Sequence, residues 1–188
     1  MKFTPGQEWT WGFAKEGNDE RLIINLVSDE GVRYCFRTLY KRSDLAVLPK
    51  NGESLCIEDA CLLTDFQEGL YSINVNKDEV CLDLGLNAVA CSRFVRSPNP
   101  SGRFFLPFGN KQYIKRGQVV SLYGKAGRIG DFFVLDEIPD GNVYRLMLLN
   151  REWDLGMHLL KVGAMLRVSA DRICAFRSIK GTRTARYA

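Results

Sequence analysis

One stretch decides how this chain is organised: residues 76–102, NKDEVCLDLGLNAVACSRFVRSPNPSG. Asn76 and Glu79 have the spacing of a capping box, in which each side chain satisfies a free N–H of the other at a helix start. Apolar residues then cover nearly every side of the helix that follows, which is typical of a buried helix. We expect this helix to continue to about Arg93 and to end before Pro98.

The segment at residues 97–102, after this helix, separates two parts of the chain that have different secondary-structure patterns. Two prolines and a glycine within residues 97–102 are incompatible with regular structure. Before the segment, strand patterns at 9–13, 21–27 and 32–39 with short turns predict an antiparallel meander. Residues 41–48 fit a short helix that ends before Pro49, and 57–70 predicts a second helix. After the segment, short β-rich runs separated by glycine turns, with a hairpin turn at 139–142, indicate a small barrel or sandwich.

The sequence therefore predicts an α+β fold with an N-terminal α/β half and a C-terminal, barrel-like all-β half. The expected divisions are an N-terminal domain over 1–96, a linker over 97–102, a C-terminal domain over 103–176 and a flexible basic tail over 177–188. A membrane span is not expected, because the longest charge-free apolar run, 84–92, has 9 residues and a bilayer needs about 20. With no secretory signal pattern at its start, we expect a cytoplasmic protein.

The residue types that carry catalysis or bind metal are sparse. The chain has 1 histidine, His158, and 6 cysteines without a C-x-x-C pair, and most of the cysteines lie in apolar runs typical of buried, reduced thiols. The glycines between Gly124 and Gly130 do not fit a phosphate-binding loop. We therefore predict no catalytic residues, no metal, no cofactor and no small-molecule substrate, and we expect a protein that is not an enzyme.

Charge is distributed in blocks along the chain. Residues 1–83 have a net charge of −6, whereas residues 84–130 contain 8 basic and no acidic residues. These cations either pair with carboxylates elsewhere in the chain or face an acidic partner. Aromatic residues are interspersed among them, a mixture that small β-barrels use to bind single-stranded nucleic acid. Binding of nucleic acid through residues 93–128 is therefore the alternative function, although no RNA-binding signature supports it.

Four segments together resemble the ZapC family of cell-division proteins. They are Trp9-Thr-Trp11, Leu55-Cys-Ile-Glu58-Asp59-Ala60-Cys-Leu62, Leu86-Asn87-Ala88-Val-Ala90-Cys-Ser-Arg93-Phe94-Val-Arg96, and the proline segment that follows. The resemblance is good over 1–105 and looser to about 176. The chain departs from the family pattern at Ser101, where a basic residue is expected, and at Arg103, where a tryptophan is expected.

The resemblance implies a non-enzymatic cytoplasmic protein that acts at the division site at mid-cell. It implies binding to FtsZ, the GTPase of the division ring, and stabilisation of that ring by bundling of FtsZ protofilaments. Apolar anchors and arginines are the expected means of holding an acidic protein, and a monomer is the expected state. The candidate partner-binding residues are Arg93, Phe94, Arg96, Arg103, Phe104 and Phe105.

Overall fold

The structure is a computed structural model that describes residues 2–109, 113–138, 142–156 and 158–176. Within these ranges, 2 α-helices and 10 strands are present, and the strands form three antiparallel sheets, none of which closes on itself. The predicted α+β class is confirmed. The predicted basic tail, 177–188, and residues 139–141 of the predicted turn at 139–142 lie outside the described residues.

The first sheet is the predicted meander, in the order β1-β2-β3. Its strands are β1 (Thr10–Glu16), β2 (Asp19–Val27) and β3 (Arg33–Lys41). Alternating residues face the core, so that Trp11 lies opposite Ile24 in the ladder and both are fully buried. The short helix expected around residues 41–48 is only a single 3-10 turn at Arg42–Asp44.

Two helices cover the inner face of this sheet: α1 (Ile57–Ser72) and α2 (Asp78–Phe94). As predicted from its apolar composition, α2 is buried on most sides. The predicted capping box at Asn76 and Glu79 is wrong, because Lys77 occupies the N-cap and none of the described side chains caps the helix. Instead α1 has the box: the Cys56 side chain accepts from the Asp59 N–H, and the Asp59 carboxylate accepts from the Cys56 N–H.

The C-terminal half consists of strands. They are β4 (Val119–Tyr123), β5 (Ile129–Ile138), β6 (Val143–Leu148), β7 (Glu152–Asp154), β8 (Leu159–Lys161), β9 (Met165–Ser169) and β10 (Ile173–Ala175). Five of them form one sheet in the order β10-β4-β5-β6-β9, and β7 pairs with β8. This sheet is open, and other segments bond to its edge regions: the Ser101 N–H donates to the carbonyl of Arg167 in β9, and the Phe108 N–H donates to the carbonyl of Asp171 beside β10.

The main core extends across both halves. Phe66 of α1 packs on Phe133 of β5 with their ring centroids 4.9 Å apart, and Met147 and Met165 belong to the same buried cluster as the helices. The closest approach is between backbones, since a Cβ on Gly69 would lie 2.0 Å from the carbonyl oxygen of Gly117. The division into two domains at residues 97–102 stays a prediction. The residues before and after this segment contribute to one buried cluster.

Candidate functional site

The structure places the six predicted partner-binding residues in three locations. Arg93 and Phe94 lie together at the end of α2, where the guanidinium is 5.1 Å from the Phe94 ring centroid. Arg96 lies in a groove two residues further on. Arg103 and Phe104 form a corner of the C-terminal half, and Phe105 is buried in a second core beneath it.

Arg93 is held by a buried carboxylate. Its Nη1 donates to both oxygens of Asp59, at 2.7 and 2.6 Å, and Asp59 is completely buried. The same carboxylate accepts from the Trp11 indole N–H at 3.4 Å. Burial lowers the pKa of Arg93, but the hydrogen bond and charge of Asp59 outweigh it, so that the pKa is raised overall. This arginine therefore neutralises an interior charge and ties α2 to the start of α1.

The two predicted anchors Phe94 and Phe105 have no accessible ring. Phe94 is 2% exposed and packs edge-on against Trp11 with centroids 4.8 Å apart. Phe105 is fully buried and stacks on Trp153 at 5.6 Å. Both rings contribute to the hydrophobic core, and in this structure neither is available for contact with a partner.

Arg96 lines the larger feature of this region, a groove of about 530 Å3 between the two halves, here called the junction groove. One side is formed by the end of β3 and the 3-10 turn after it, and the other by the turn between β8 and β9. Its apolar lining includes Leu39, Val95, Pro98 and Val162, and its charged lining is Arg96, Lys161 and Asp44. The groove thus has an apolar lining with two cations and one carboxylate at its surface.

The position of Arg96 follows from the way α2 ends. Val95 leaves the helix in an extended conformation and bridges to Leu45, and the Arg96 N–H donates to the Asp44 carbonyl at 2.9 Å. The Asp44 carboxylate accepts instead from the Lys41 N–H. Among the described residues, no ion pair is formed by Arg96, and its side chain is exposed. A guanidinium held by its backbone at the mouth of an apolar groove is available for an anionic group.

Arg103 and Phe104 form the second accessible feature, here called the Phe104 corner. The Arg103 guanidinium lies 4.7 Å from the Phe104 ring centroid, and the His158 ring meets the same ring edge-on at 5.8 Å. The Lys125 N–H donates to the Phe104 carbonyl, which places the turn that contains Lys125 beside Phe104. Phe104 is half-buried, so the corner presents an aromatic edge with positive charge around it.

The basic residues of 84–130, here called the acid-free block, were expected either to pair with carboxylates elsewhere in the chain or to face a partner, and the structure contains both kinds. Arg93 pairs with Asp59, Arg116 pairs with Asp65, and Arg128 pairs with Asp154, so three of them are neutralised by carboxylates outside the block. In contrast, Arg96, Arg103, Lys115 and Lys125 form no ion pair with any described residue. Lys115 lies 5.3 Å from the Tyr113 ring centroid, whereas Arg96 belongs to the junction groove and Arg103 to the Phe104 corner.

Sequence reasoning missed part of this surface. Lys161 reaches the junction groove from the end of β8, 65 positions after Arg96, and such a distant contact leaves no local pattern. Val47 and Leu48 are 58% and 47% exposed, and the preceding Ala46 N–H donates to the Phe94 carbonyl at the end of α2. The sequence predicted a short helix at 41–48 and not two adjacent exposed aliphatic residues before Pro49.

Other chemistry is little represented in the described part of the chain. No group of three or more histidine, cysteine or acidic side chains there could hold a metal ion. The helices there are too short or too polar to cross a membrane. Cys81, Cys91 and Cys174 are buried as expected, but Cys35, Cys56 and Cys61 are exposed, so the expectation holds for only half of the cysteines.

Fold and surface together describe a small α+β protein with a cationic, apolar-lined groove where its two halves meet. A family model described as "Cell-division protein ZapC, N-terminal" matches residues 2–96. The chain belongs to the ZapC family of cell-division proteins. The resemblance seen in the sequence is thus confirmed.

Three curated proteins, each named Cell division protein ZapC, are similar over most of their length. One from Musicola paradisiaca (strain Ech703) is 27% identical over 177 residues, covering 93% of this chain and 90% of that protein. One from Xenorhabdus bovienii (strain SS-2004) is 22% identical over 187 residues, covering 100% and 98%. One from Aeromonas hydrophila is 27% identical over 136 residues, covering 72% of each.

Proposed function

We propose that this protein binds FtsZ through the junction groove and the Phe104 corner, and that it stabilises the Z-ring by holding FtsZ protofilaments side by side. It acts at the division site in the cytoplasm as a binding protein without a catalytic step. Membership of a cell-division family supports the setting. The observation that carries the surface is Arg96, exposed and without an ion pair among the described residues, at the mouth of an apolar groove.

Apolar and charged groups have different roles at protein interfaces. Apolar groups that become buried provide most of the affinity, and charges at the rim steer an oppositely charged partner and select against others. The junction groove offers Leu39, Val95 and Val162 for burial, with Arg96 and Lys161 at the rim. An acidic protein such as FtsZ matches this arrangement, and added salt should weaken the complex.

Bundling requires that each assembly make two contacts. We propose that a monomer supplies both, one through the junction groove and one through the Phe104 corner. The two are joined by residues 97–102 and stand on halves that share one core. A molecule of this kind holds two filaments at a fixed spacing without having to dimerise.

The test is co-sedimentation with FtsZ polymerised by GTP. The wild-type chain is compared with Arg96→Glu/Arg103→Glu, which reverses the two exposed candidate arginines and leaves the Asp59–Arg93 pair intact. The matched control is Lys77→Glu/Arg151→Glu, which makes the same charge change at two other exposed positions. We expect the first variant to lose at least about tenfold in affinity, because like charges at an interface repel, and the control to pellet as the wild type does.

Further arms of the experiment separate the parts of the proposal. If the wild type stays in the supernatant, FtsZ is not the partner. If both variants pellet equally, FtsZ is the partner but the surface is wrong. Using FtsZ without its flexible tail distinguishes binding to the tail from binding to the polymer body. Light scattering and electron microscopy of each single-site variant, Arg96→Glu and Arg103→Glu, test whether each surface alone binds filaments but no longer bundles them.

Nucleic-acid binding through residues 93–128 is not favoured. Base stacking along a strand needs several accessible aromatic faces. Phe94 and Phe105 are buried and Phe108 stacks on Tyr123 with centroids 5.5 Å apart, so that Tyr113 is the one mostly exposed aromatic residue in the described part of this block. The comparisons with known proteins point to cell division instead.

A further inference from the structure

The outer edge of β3 is covered along only part of its length. As the last strand in the order β1-β2-β3, β3 has one side without a neighbouring strand. Near its C-terminal end, the Leu39 N–H donates to the Asn87 side chain of α2, and the turn at Gly163 packs against the Leu39 side chain. Along residues 33–37, no described segment forms backbone hydrogen bonds with this edge.

The backbone groups at the open part can be assigned from the hairpin. The Ser28 N–H donates to the Val32 carbonyl and closes the turn between β2 and β3. Hydrogen-bonded pairs alternate along an antiparallel ladder, and the register is regular from Arg33 to Arg37. Within this range the even-numbered residues therefore bond to β2, and the odd-numbered ones direct N–H and C=O outward. The edge at 33–37 therefore offers the backbone groups of three residues to a further strand.

Charge is also uncompensated at this part of the strand. Arg33 and Arg37 are exposed and form no ion pair with any described residue. Further along, Lys41 and Arg42 pair with carboxylates of β2 at 2.6 Å each. Arg33 and Arg37 lie on one face of β3 with Cys35 between them, since side chains alternate between faces along a strand. Acidic side chains at alternate positions of an added strand would lie opposite them.

The exposed face of the sheet next to this edge is concave. A hollow of about 840 Å3 extends across all three strands and is lined by Thr10 of β1, Asn25 of β2 and Arg33 and Cys35 of β3. Its charged lining is Arg33 on β3 and Glu8 ahead of β1, so the positive charge of this face lies on the β3 side, next to the open edge.

We propose that residues 33–37 of β3 bind an extended acidic peptide as a fourth strand of the first sheet. Backbone hydrogen bonds give such a complex its affinity, and the alternating side chains give it specificity. A second copy of the chain fits less well, because antiparallel pairing about Cys35 places Arg33 opposite Arg37, and like charges directly opposite are destabilising. The proposal does not depend on FtsZ or on the junction groove.

The experiment uses a fluorescent synthetic peptide of about eight residues that alternates glutamate and valine, titrated with the full-length protein and followed by anisotropy. We expect saturable binding that falls at least tenfold for Arg33→Glu/Arg37→Glu. The variant Lys77→Glu/Arg151→Glu makes the same charge change at two exposed positions that line none of the proposed binding surfaces, so it serves as the matched control and should bind as the wild type does. Thermal unfolding of each variant shows that the fold is retained.

Two peptide variants test the backbone geometry without changing the protein. Residues directly opposite each other share a face, so glutamates opposite the arginines direct their N–H groups at β3, and valines direct theirs away. N-methylation of the glutamates should therefore weaken binding at least tenfold, and N-methylation of the valines should leave it unchanged. Amide exchange at Arg33, Cys35 and Arg37 should slow when the peptide is bound.

Several results would overturn the proposal. Failure of the unmodified peptide to bind excludes it, as does equal binding by Arg33→Glu/Arg37→Glu. Equal binding of the two N-methylated peptides shows that only charge is recognised and that no strand is added. A concentration-dependent dimer that Arg33→Glu/Arg37→Glu abolishes shows that the edge binds a second copy instead.

Discussion

Arg93 and Arg96 lie three residues apart on one segment, and the structure uses them in opposite ways. Arg93 compensates a fully buried carboxylate, whereas Arg96 lies exposed in the junction groove without an ion pair among the described residues. Phe105 and Phe104 show the same contrast between neighbours, one in the core and one at the surface. The end of α2 lies between Arg93 and Arg96, and side chains alternate between opposite sides in the extended backbone that follows. A continuous stretch of sequence thus contains both residues that stabilise the fold and residues that a partner can reach.

The aromatic pair should give the largest difference in stability. Phe105→Ala removes a ring stacked on Trp153 and should lower the free energy of unfolding by about 4 kcal/mol, the usual cost of such a cavity. Phe104→Ala, at the half-buried neighbour, should cost about 1 kcal/mol. Urea unfolding followed by tryptophan fluorescence measures both. Equal costs would mean that the assignment of inner and outer positions is wrong.

The arginine pair should give the next largest difference. Arg93→Ala leaves Asp59 buried with only the Trp11 and backbone donors, and the loss of one partner of a buried ion pair should cost about 3 kcal/mol. Arg96→Ala should change stability by less than about 0.5 kcal/mol. A double-mutant cycle with Asp59→Asn checks the origin of the effect. Without coupling between the two substitutions, the cost of Arg93→Ala would not come from this carboxylate.

Tyr40 provides a further test of which positions are structural, because it belongs to the main core and also lines the junction groove. Its hydroxyl donates to the Gly163 carbonyl at 3.0 Å, so Tyr40→Phe should cost about 1 kcal/mol at neutral pH. Burial foremost, then Cys91 and Asp44, raise the pKa of Tyr40 well above its usual value. The folded chain thus keeps a proton that the unfolded chain loses near pH 10, and stability falls as pH rises above that value.

The measurement for Tyr40 is the free energy of unfolding between pH 8 and about pH 11, where unfolded tyrosine titrates. The wild type should lose stability across the upper part of this range, and Tyr40→Phe should lose less. Parallel curves for the two proteins would mean that other groups, such as the buried thiols, account for the alkaline loss.

Chemical labelling of the cysteines distinguishes exposed from buried positions without changing a residue, and it is the smallest perturbation of the protein. Cys35, Cys56 and Cys61 are exposed, whereas burial raises the pKa of Cys81 to about 11 and that of Cys91 to about 12. A thiol reagent at neutral pH should therefore modify the exposed three in the native protein, since the thiolate is the reactive form. The buried ones should react only after unfolding. Rapid modification of Cys91 in the native state would contradict its place in the core.

Most of the fold could be predicted from local patterns. The alternating Trp9–Phe13 segment and the apolar 80–94 segment have periods that belong to one kind of element each. Weak patterns failed: the segment at 41–48 has helix-forming residues but makes its main contacts with the end of α2. β7 and β8 have only three residues each, too few for a period to be visible.

The candidate site could be predicted only in its composition. The acid-free block located Arg96 and Arg103, because a run of uncompensated cations is a property of the sequence. Which cations find partners depended on contacts such as Arg116 with Asp65, 51 positions apart, which no local pattern contains. The burial of Phe94 and Phe105 likewise follows from tertiary packing against Trp11 and Trp153.

The core shared by the two halves has a consequence for how the chain is made. Synthesis delivers the N-terminal half first, and Phe66 on α1 then has no partner until Phe133 is translated. Gly69 likewise waits for the backbone at Gly117. The nascent chain therefore leaves the ribosome with one apolar face of α1 uncovered for the time needed to add about fifty to seventy residues, at roughly 5–20 residues per second. During those seconds this face of α1 is open to a chaperone.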